Sequence, residues 1–308
     1  MNLGKMKTIF KIFILFTVLS SCNNHKKEII TPPDPSKLVS CKQISNIIEH
    51  SLPNYKIIDI RKKADYLIGH IPGSINTWRP DYENRKSDVK GTIASKDQME
   101  FLLQKWGVMD NDTLILYDKG GNSNSCRLWW ILKQYGFENT KILDGSYLKW
   151  QQLNLVSDTI TPKIKKSNLK LKEINLSHYA NTADVQEHVM KNKVLLDSRT
   201  IEEFNGQEKK GNVRRGGHIP KAIRFDWSQL VKIGDKEDGT FRDISIIKKK
   251  LDKIHVAPED DIIVYCQSGV RSACVTFVLT ELLKYNNVRN YDGSWLEWSN
   301  TDLEIELD

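Results

Sequence analysis

Two stretches of this chain decide its fold once they are set side by side: LILYDKGGNSNSCRLWWILKQYGFENTKILDGSYLKW, Leu114 to Trp150, and IIVYCQSGVRSACVTFVLTELLKYNNVRNYDGSWLEW, Ile262 to Trp298. They align without a gap at an offset of 148 residues, which pairs Asp118 with Cys266, Cys126 with Cys274 and Trp150 with Trp298. Upstream, KIIDIRKKADYLIGHIPGSIN (Lys56 to Asn76) matches VLLDSRTIEEF and GGHIPKAIRF within Val194 to Phe225, the second copy carrying ten extra residues before its histidine. From His70 and His218 onward the offset is constant. Self-similarity on this scale marks a tandem duplication. It divides the chain into copy one at 40–155, a polar linker at 156–176 and copy two at 177–308.

Each copy carries the same grammar. Short β-branched runs at 56–60 and 193–197, and again at 113–117 and 261–265, read as buried strands. Helical patterns stand between and after them. Ser95-Lys96-Asp97-Gln98 has the form of a capping box opening a helix that runs to Trp106, and 272–285 holds apolar residues at helical spacing. Strands alternating with helices predict an α/β fold: two tandem domains, each a mostly parallel sheet flanked by helices. Ligands of such sheets gather beyond the carboxyl ends of the strands, and the position just after Tyr265 is one of those ends.

With 308 residues, 39% hydrophobic and 28% charged, the chain has room for two cores and a composition that excludes disorder. Setting aside Lys5, Lys7 and Lys11 of residues 1–21, which hold no acid, reduces the formal charge from +7 to about +4. This mild excess, with runs such as Lys248-Lys249-Lys250 read as solvated helix faces, sets nucleic acid aside as a partner. The three early lysines precede an apolar run, Ile12 to Leu19, too short to span a bilayer, so residues 1–21 read as a signal peptide. Leu19-Ser20-Ser21-Cys22 resembles the lipobox of bacterial lipoproteins. That resemblance implies a lipid on Cys22, a tether at 22–39, and a place in the bacterial cell envelope, lipid-anchored and facing the periplasm. An ordinary secretory signal with an incidental Cys22 is the plainer alternative.

Without Cys22 there remain Cys41, Cys126, Cys266 and Cys274, whose spacing fits neither a dense disulfide framework nor a zinc site. Cys266 is distinctive by its place. A strand stops there, Gln267-Ser268-Gly269 supplies turn chemistry, and a helix begins at once. Free backbone N–H groups and the positive end of the helix dipole converge at such a point and favour an anion, which lowers a thiol pKa from about 8.5 toward neutrality. Gly269 lets the chain curl so that the amides of Gln267, Ser268, Gly269, Val270 and Arg271 surround the sulfur. Cys126 and Cys274, as repeat mates on the following helix, read as packing residues.

The association of DSR with GHIP, the loop CQSGVRS and the downstream YDGSWLEW resembles the rhodanese family of sulfurtransferases. The duplication resembles its two-domain members, the thiosulfate and mercaptopyruvate sulfurtransferases, from about Ser40 to the end of the chain. The resemblance implies that copy two is catalytic and copy one degenerate, in keeping with Asp118 at the cysteine position. It implies transfer of a sulfane sulfur from a small anionic donor, thiosulfate or 3-mercaptopyruvate, to a thiol or cyanide acceptor through a persulfide on Cys266, with no metal or organic cofactor. Arg271 is expected to close the loop by donating to its carbonyls or to an incoming oxyanion, and Ser268 to offer its hydroxyl to the sulfur or substrate. Asp197 and Arg199 are expected at the end of the first strand, Asp197 accepting from loop backbone. His218, with its mate His70, reads as structural, although His70 or Arg61 could reach the site from copy one. The family's substrate-binding arginine after the DSR element is replaced here by Glu203, so that role falls to Arg214, Arg215 or Arg271.

Rival readings of the loop are weaker. A cysteine phosphatase needs C-x5-R to wrap a tetrahedral phosphate, whereas Cys266 to Arg271 is C-x4-R, one residue short. A lipid-anchored binding or sulfur-carrier module would not need the cysteine for binding alone. A thiol oxidoreductase pairing Cys266 with Cys274 lacks a C-x-x-C element.

Overall fold

Runs of Ile, Leu and Val flanked by turn residues become the inner strands of two five-stranded sheets, all of whose pairings are parallel. A computed structural model describes residues 37–307. The expected signal peptide, Cys22 and all but the end of the expected tether lie outside the described residues. In copy one the strands are β1 (Leu38–Val39), β2 (Tyr55–Asp59), β3 (Ile75–Asn76), β4 (Thr113–Tyr117) and β5 (Thr140–Leu143), ordered β1-β5-β4-β2-β3. Copy two repeats this order as β6-β10-β9-β7-β8, with β6 (Tyr179–Ala180), β7 (Val194–Asp197), β8 (Ile223–Arg224), β9 (Ile262–Tyr265) and β10 (Val288–Tyr291). In register, Asp59 faces Tyr117 and Asp197 faces Tyr265. Each DxR element therefore ends beside the loop that leaves the central strand.

Helices α1 (Cys41–Glu49), α2 (Lys63–Ile68), α3 (Lys96–Lys105), α4 (Ser123–Gln134) and α5 (Ser146–Gln152) serve copy one. Their counterparts are α6 (Thr182–Met190), α7 (Ile201–Phe204), α8 (Ile244–Asp252), α9 (Val270–Phe277) and α10 (Ser294–Trp298). The outer face of each sheet has its own core, built from α1 and α5 on one side and α6 and α10 on the other. The inner faces share one continuous core, in which α4 lies against α9. That contact explains why α4 is buried without a break from Ser125 to Leu132, Arg127 included.

The expected capping box at Ser95 forms only in half. Ser95 caps the helix by accepting from the Gln98 amide, but the Gln98 side chain turns away to donate to the carbonyls of Asp81 (3.0 Å) and Glu83 (2.8 Å). The helical pattern after Ser272 begins earlier, at Val270, and widens into a π turn at Val278–Leu282. Beyond Trp150 and Trp298 the two copies continue to correspond: His70 bridges Asp158 and His218 bridges Glu306, both antiparallel and again 148 residues apart. Residues 156–176 run along copy one, where Leu169 and Leu171 are buried and the Gln104 side chain donates to the Leu169 carbonyl.

Candidate active site

Cys266 is the first residue after β9, the middle strand of its sheet, and is 1% exposed. The loop turns at Gly269, whose φ of 74° lies in the left-handed region that glycine tolerates best, and α9 starts with the next residue. Two serines shape it. Ser294 Oγ accepts from the backbone N–H of Cys266 (3.2 Å) and of Gly269 (3.0 Å) while donating to the Tyr291 carbonyl (2.8 Å). Ser272 Oγ donates to Cys266 Sγ at 3.4 Å. Burial pushes the Cys266 thiol up. The charge of Arg271, the hydroxyl and N–H of Ser272 and the Ser268 N–H outweigh it and bring the thiol below its ordinary value.

Several expected roles move to other atoms. The hydroxyl on the sulfur belongs to Ser272, while Ser268 contributes backbone. Arg271 does not donate to loop carbonyls: its guanidinium forks onto Glu203, Nη1 to Oε2 at 2.6 Å and Nη2 to Oε1 at 2.7 Å. Glu203, 1% exposed, is held down to about 2; burial opposes this, and the Arg271 bonds and charge prevail, helped by the Thr200 N–H and Lys210. The acid at the position of the expected arginine is thus the anchor of the loop arginine, not a free repulsive charge. Asp197 does not grip the cysteine loop; it accepts from the N–H, Nε and Nη2 of Arg199, and Nη2 also reaches the Gly217 carbonyl (2.8 Å). His218 stacks on Phe204 at 3.7 Å with Nδ1 at the Phe204 carbonyl.

Neither residue suggested from copy one reaches over. Arg61 is fixed on Asp59 and the Gly69 carbonyl, and His70 stacks on Tyr66, mirroring Arg199 and His218. Arg214 and Arg215 are turned onto the C-terminal segment, bonding the Thr301 carbonyl, with Asp302 and the Ser299 carbonyl as further partners. Cys274 meets Cys126 across the α4–α9 contact, and all four described cysteines are free thiols.

Sequence reasoning missed Ser294, Ser272, Lys210 and Gly91. Ser294 was legible, because Asp-Gly-Ser recurs at 144–146 and 292–294, and both serines sit at φ 53°. Lys210 comes from the ten-residue insertion: its carbonyl accepts from the Gln267 side chain, and its Nζ lies 3.6 Å from Glu203 and 3.0 Å from Glu208. Gly91, at φ 90°, brings copy one against the loop; a Cβ there would stand 3.3 Å from Arg79 Nη2 and 3.4 Å from Ser268 Cβ. The relation is reciprocal, since Gly239 lies in the same way against Gly121.

Two parallel-sheet domains of one topology, with a cradled thiol in one and a carboxylate at the same point of the other, define a duplicated thiolate-loop protein. The chain belongs to the rhodanese family: the family description "Rhodanese-like domain" matches residues 41–153 and 181–301. A thiosulfate sulfurtransferase of Corynebacterium glutamicum is 31% identical over 279 residues, covering 86% of this chain and 88% of the relative. A putative thiosulfate sulfurtransferase of Saccharopolyspora erythraea is 35% identical over 239 residues, covering 75% and 82%. Among solved structures, SseA from Escherichia coli, described as a 3-mercaptopyruvate sulfotransferase with the rhodanese fold, superposes with a TM-score of 0.74 at 25% identity, over 84% of this chain and 99% of that one.

Proposed function

We propose that the chain acts as a sulfurtransferase through a persulfide on Cys266, taking sulfur from thiosulfate or 3-mercaptopyruvate. The observation that carries this reading is a fully buried thiol drawn below its ordinary pKa by Arg271, Ser272 and two loop amides. Burial alone would do the reverse. In the first half-reaction the Cys266 thiolate attacks the outer sulfur of thiosulfate; an S–S bond forms to Cys266, the S–S bond of the donor breaks, and sulfite leaves with the electron pair. With mercaptopyruvate the C–S bond breaks instead, and the thiol proton of the donor ends on the methyl group of pyruvate. The persulfide terminus is an anion in the same amide cradle. In the second half-reaction cyanide or a thiolate attacks that terminal sulfur, and Cys266 departs as thiolate. A phosphatase reading is disfavoured because the loop arginine is committed to Glu203.

Ser268, at the third loop position, is neutral and lies against Gly91 of copy one. In the family the third loop position helps select the donor, with basic residues in thiosulfate-type loops and serine in mercaptopyruvate-type loops, so Ser268 supports mercaptopyruvate over thiosulfate as donor. Steady-state comparison of the two donors with cyanide as acceptor tests this: mercaptopyruvate is expected to give the higher kcat/KM, and a clear preference for thiosulfate overturns the assignment. The envelope anchor belongs to the same proposal. Palmitate labelling of the chain in bacterial cells is expected to vanish in Cys22→Ala, and labelling that survives removes the anchor from the account.

A further inference from the structure

Arg127 lies on α4 of copy one, yet the groups it binds belong largely to the Cys266 site. It is 1% exposed. Its Nη2 donates to the Gly91 carbonyl (2.7 Å) and to Asp292 Oδ1 (2.5 Å), its Nη1 donates to the Gly269 carbonyl (3.3 Å), and its Cζ stands 4.8 Å over the Trp130 ring. The Gly269 carbonyl also accepts from Asn290 Nδ2 at 3.2 Å, and Asp292 Oδ2 accepts from the Ile93 N–H at 2.9 Å. One guanidinium thus joins the segment of copy one that lies on Ser268, the turn of the cysteine loop, and the turn between β10 and α10. A Cβ on Gly269 would sit 2.8 Å from Arg127 Nη1, so the loop rests directly on the arginine.

The duplication supplies the contrast. The mate of the Ile93–Asp292 bond is present, since the Phe241 N–H donates to Asp144 at 2.9 Å, but the mate of Arg127 is Val275, whose side chain has no donor. The arginine backs the loop that holds the cysteine and has no equivalent behind the loop that holds Asp118.

We propose that Arg127 is a positioning residue for Cys266, a clamp through which the non-catalytic copy sets the geometry of the other copy's loop. A trans peptide unit is planar, so a Gly269 carbonyl held by Arg127 and Asn290 sends the Val270 N–H the opposite way, away from the arginine. Rotating that unit would break both bonds and leave a buried guanidinium N–H unmet. With the Gly269 N–H also fixed by Ser294, the turn has one setting, and the Ser268 and Ser272 donors on either side of it are placed on Sγ together.

The inference rests on the reading of Cys266 as the nucleophile, and its test separates the two. In the full chain, Arg127→Lys keeps a cation for Asp292 but loses the fork onto Gly269 and Gly91. Cys266 alkylation by iodoacetamide at neutral pH, corrected with Cys266→Ser, needs no sulfur donor. It is expected to slow by ~10-fold or more in Arg127→Lys, and persulfide formation to slow by up to ~100-fold, as displacement of a reacting group by about 1 Å does. Thermal unfolding checks that the variant is folded. Should it fail to fold, Arg127→Met with Asp292→Asn removes both charges at once and is read in the same way. Alkylation and transfer at the rate of the unaltered chain, in a folded variant, overturn the clamp. Absence of transfer in the unaltered chain defeats the functional reading instead, while the alkylation comparison still decides the clamp.

Discussion

Asp118 and Cys266 occupy the same point in two copies of one fold, and the same donors surround them. Asp118 Oδ1 accepts from the Gly120 N–H at 2.9 Å and Oδ2 from the Asn124 N–H at 3.0 Å; the mates of those amides, Ser268 and Ser272, face Cys266 Sγ. Ser146 accepts from the Asp118 N–H as Ser294 does from that of Cys266. Yet their acidities move in opposite senses. Burial pushes the Asp118 carboxyl up despite Ser146 and the N–H groups of Ser125, Asn124 and Gly120, whereas Cys266 is drawn down. The largest difference between the cradles is a charge: Arg271 in copy two stands where copy one has Ser123. Amides stabilise the anion in both loops, and in the second the nearby cation is the contribution that turns the shift downward. The surroundings differ too, because Gly121 is covered by Trp227 and Ile233, while Ser268 faces Gly91.

Removing that charge is the strongest way to break the comparison. Arg271→Met is expected to lower transfer by roughly 100-fold or more at pH 7 and to raise the thiol pKa, read by the pH dependence of alkylation. It also leaves the buried Glu203 carboxylate with only the more distant Lys210 ammonium as a cation, at a stability cost of up to roughly 3–5 kcal/mol measurable by urea unfolding. Next in size is a pH effect. Glu203 has a folded pKa of about 2, below the unfolded value of about 4.3, so its contribution to stability is complete above the unfolded value and is lost as pH falls through about 2. Glu203→Gln is expected to be less stable at pH 6 and to lose less stability than the unaltered chain between pH 5 and 2. Equal slopes in the two proteins contradict the pairing.

Ser272→Ala removes one hydrogen bond to the thiolate. A bond to a charged group is worth about 1.5–3 kcal/mol, so the thiol pKa is expected to rise by about one to two units at 1.36 kcal/mol per unit. Transfer at pH 7 falls accordingly and recovers at high pH, a recovery that damage to the fold would not show. The smallest effect sharpens the comparison from the other side. Asp118→Cys in a Cys266→Ser background places a thiol in the first cradle, without an arginine and under Trp227. It is expected to restore no transfer; measurable turnover would mean that the amide cradle alone suffices.

Much of this was legible in the residues. The repeat of 148 residues defined two equivalent sheets, and the inner strands β2, β4, β7 and β9 stood out as β-branched runs. The two-residue edge strands β1, β3, β6 and β8 carry no pattern of their own and exist through pairing with neighbours, so sequence periodicity could not find them. Cys266, the proposed nucleophile, was marked by its place between strand and helix. Its partners were not, because Arg271 and Glu203 lie 68 residues apart and Arg127 and Asp292 165 apart, and no local spacing announces such pairs. Ser294 was the exception that the repeat could have exposed.

The central claim is that Cys266 carries the transferred sulfur. Intact-mass measurement of the full chain after incubation with thiosulfate or 3-mercaptopyruvate tests it directly. One added sulfur atom is expected, removed by cyanide as thiocyanate and absent in Cys266→Ser. No cyanide-labile sulfur with either donor, or an added sulfur retained by Cys266→Ser, contradicts it.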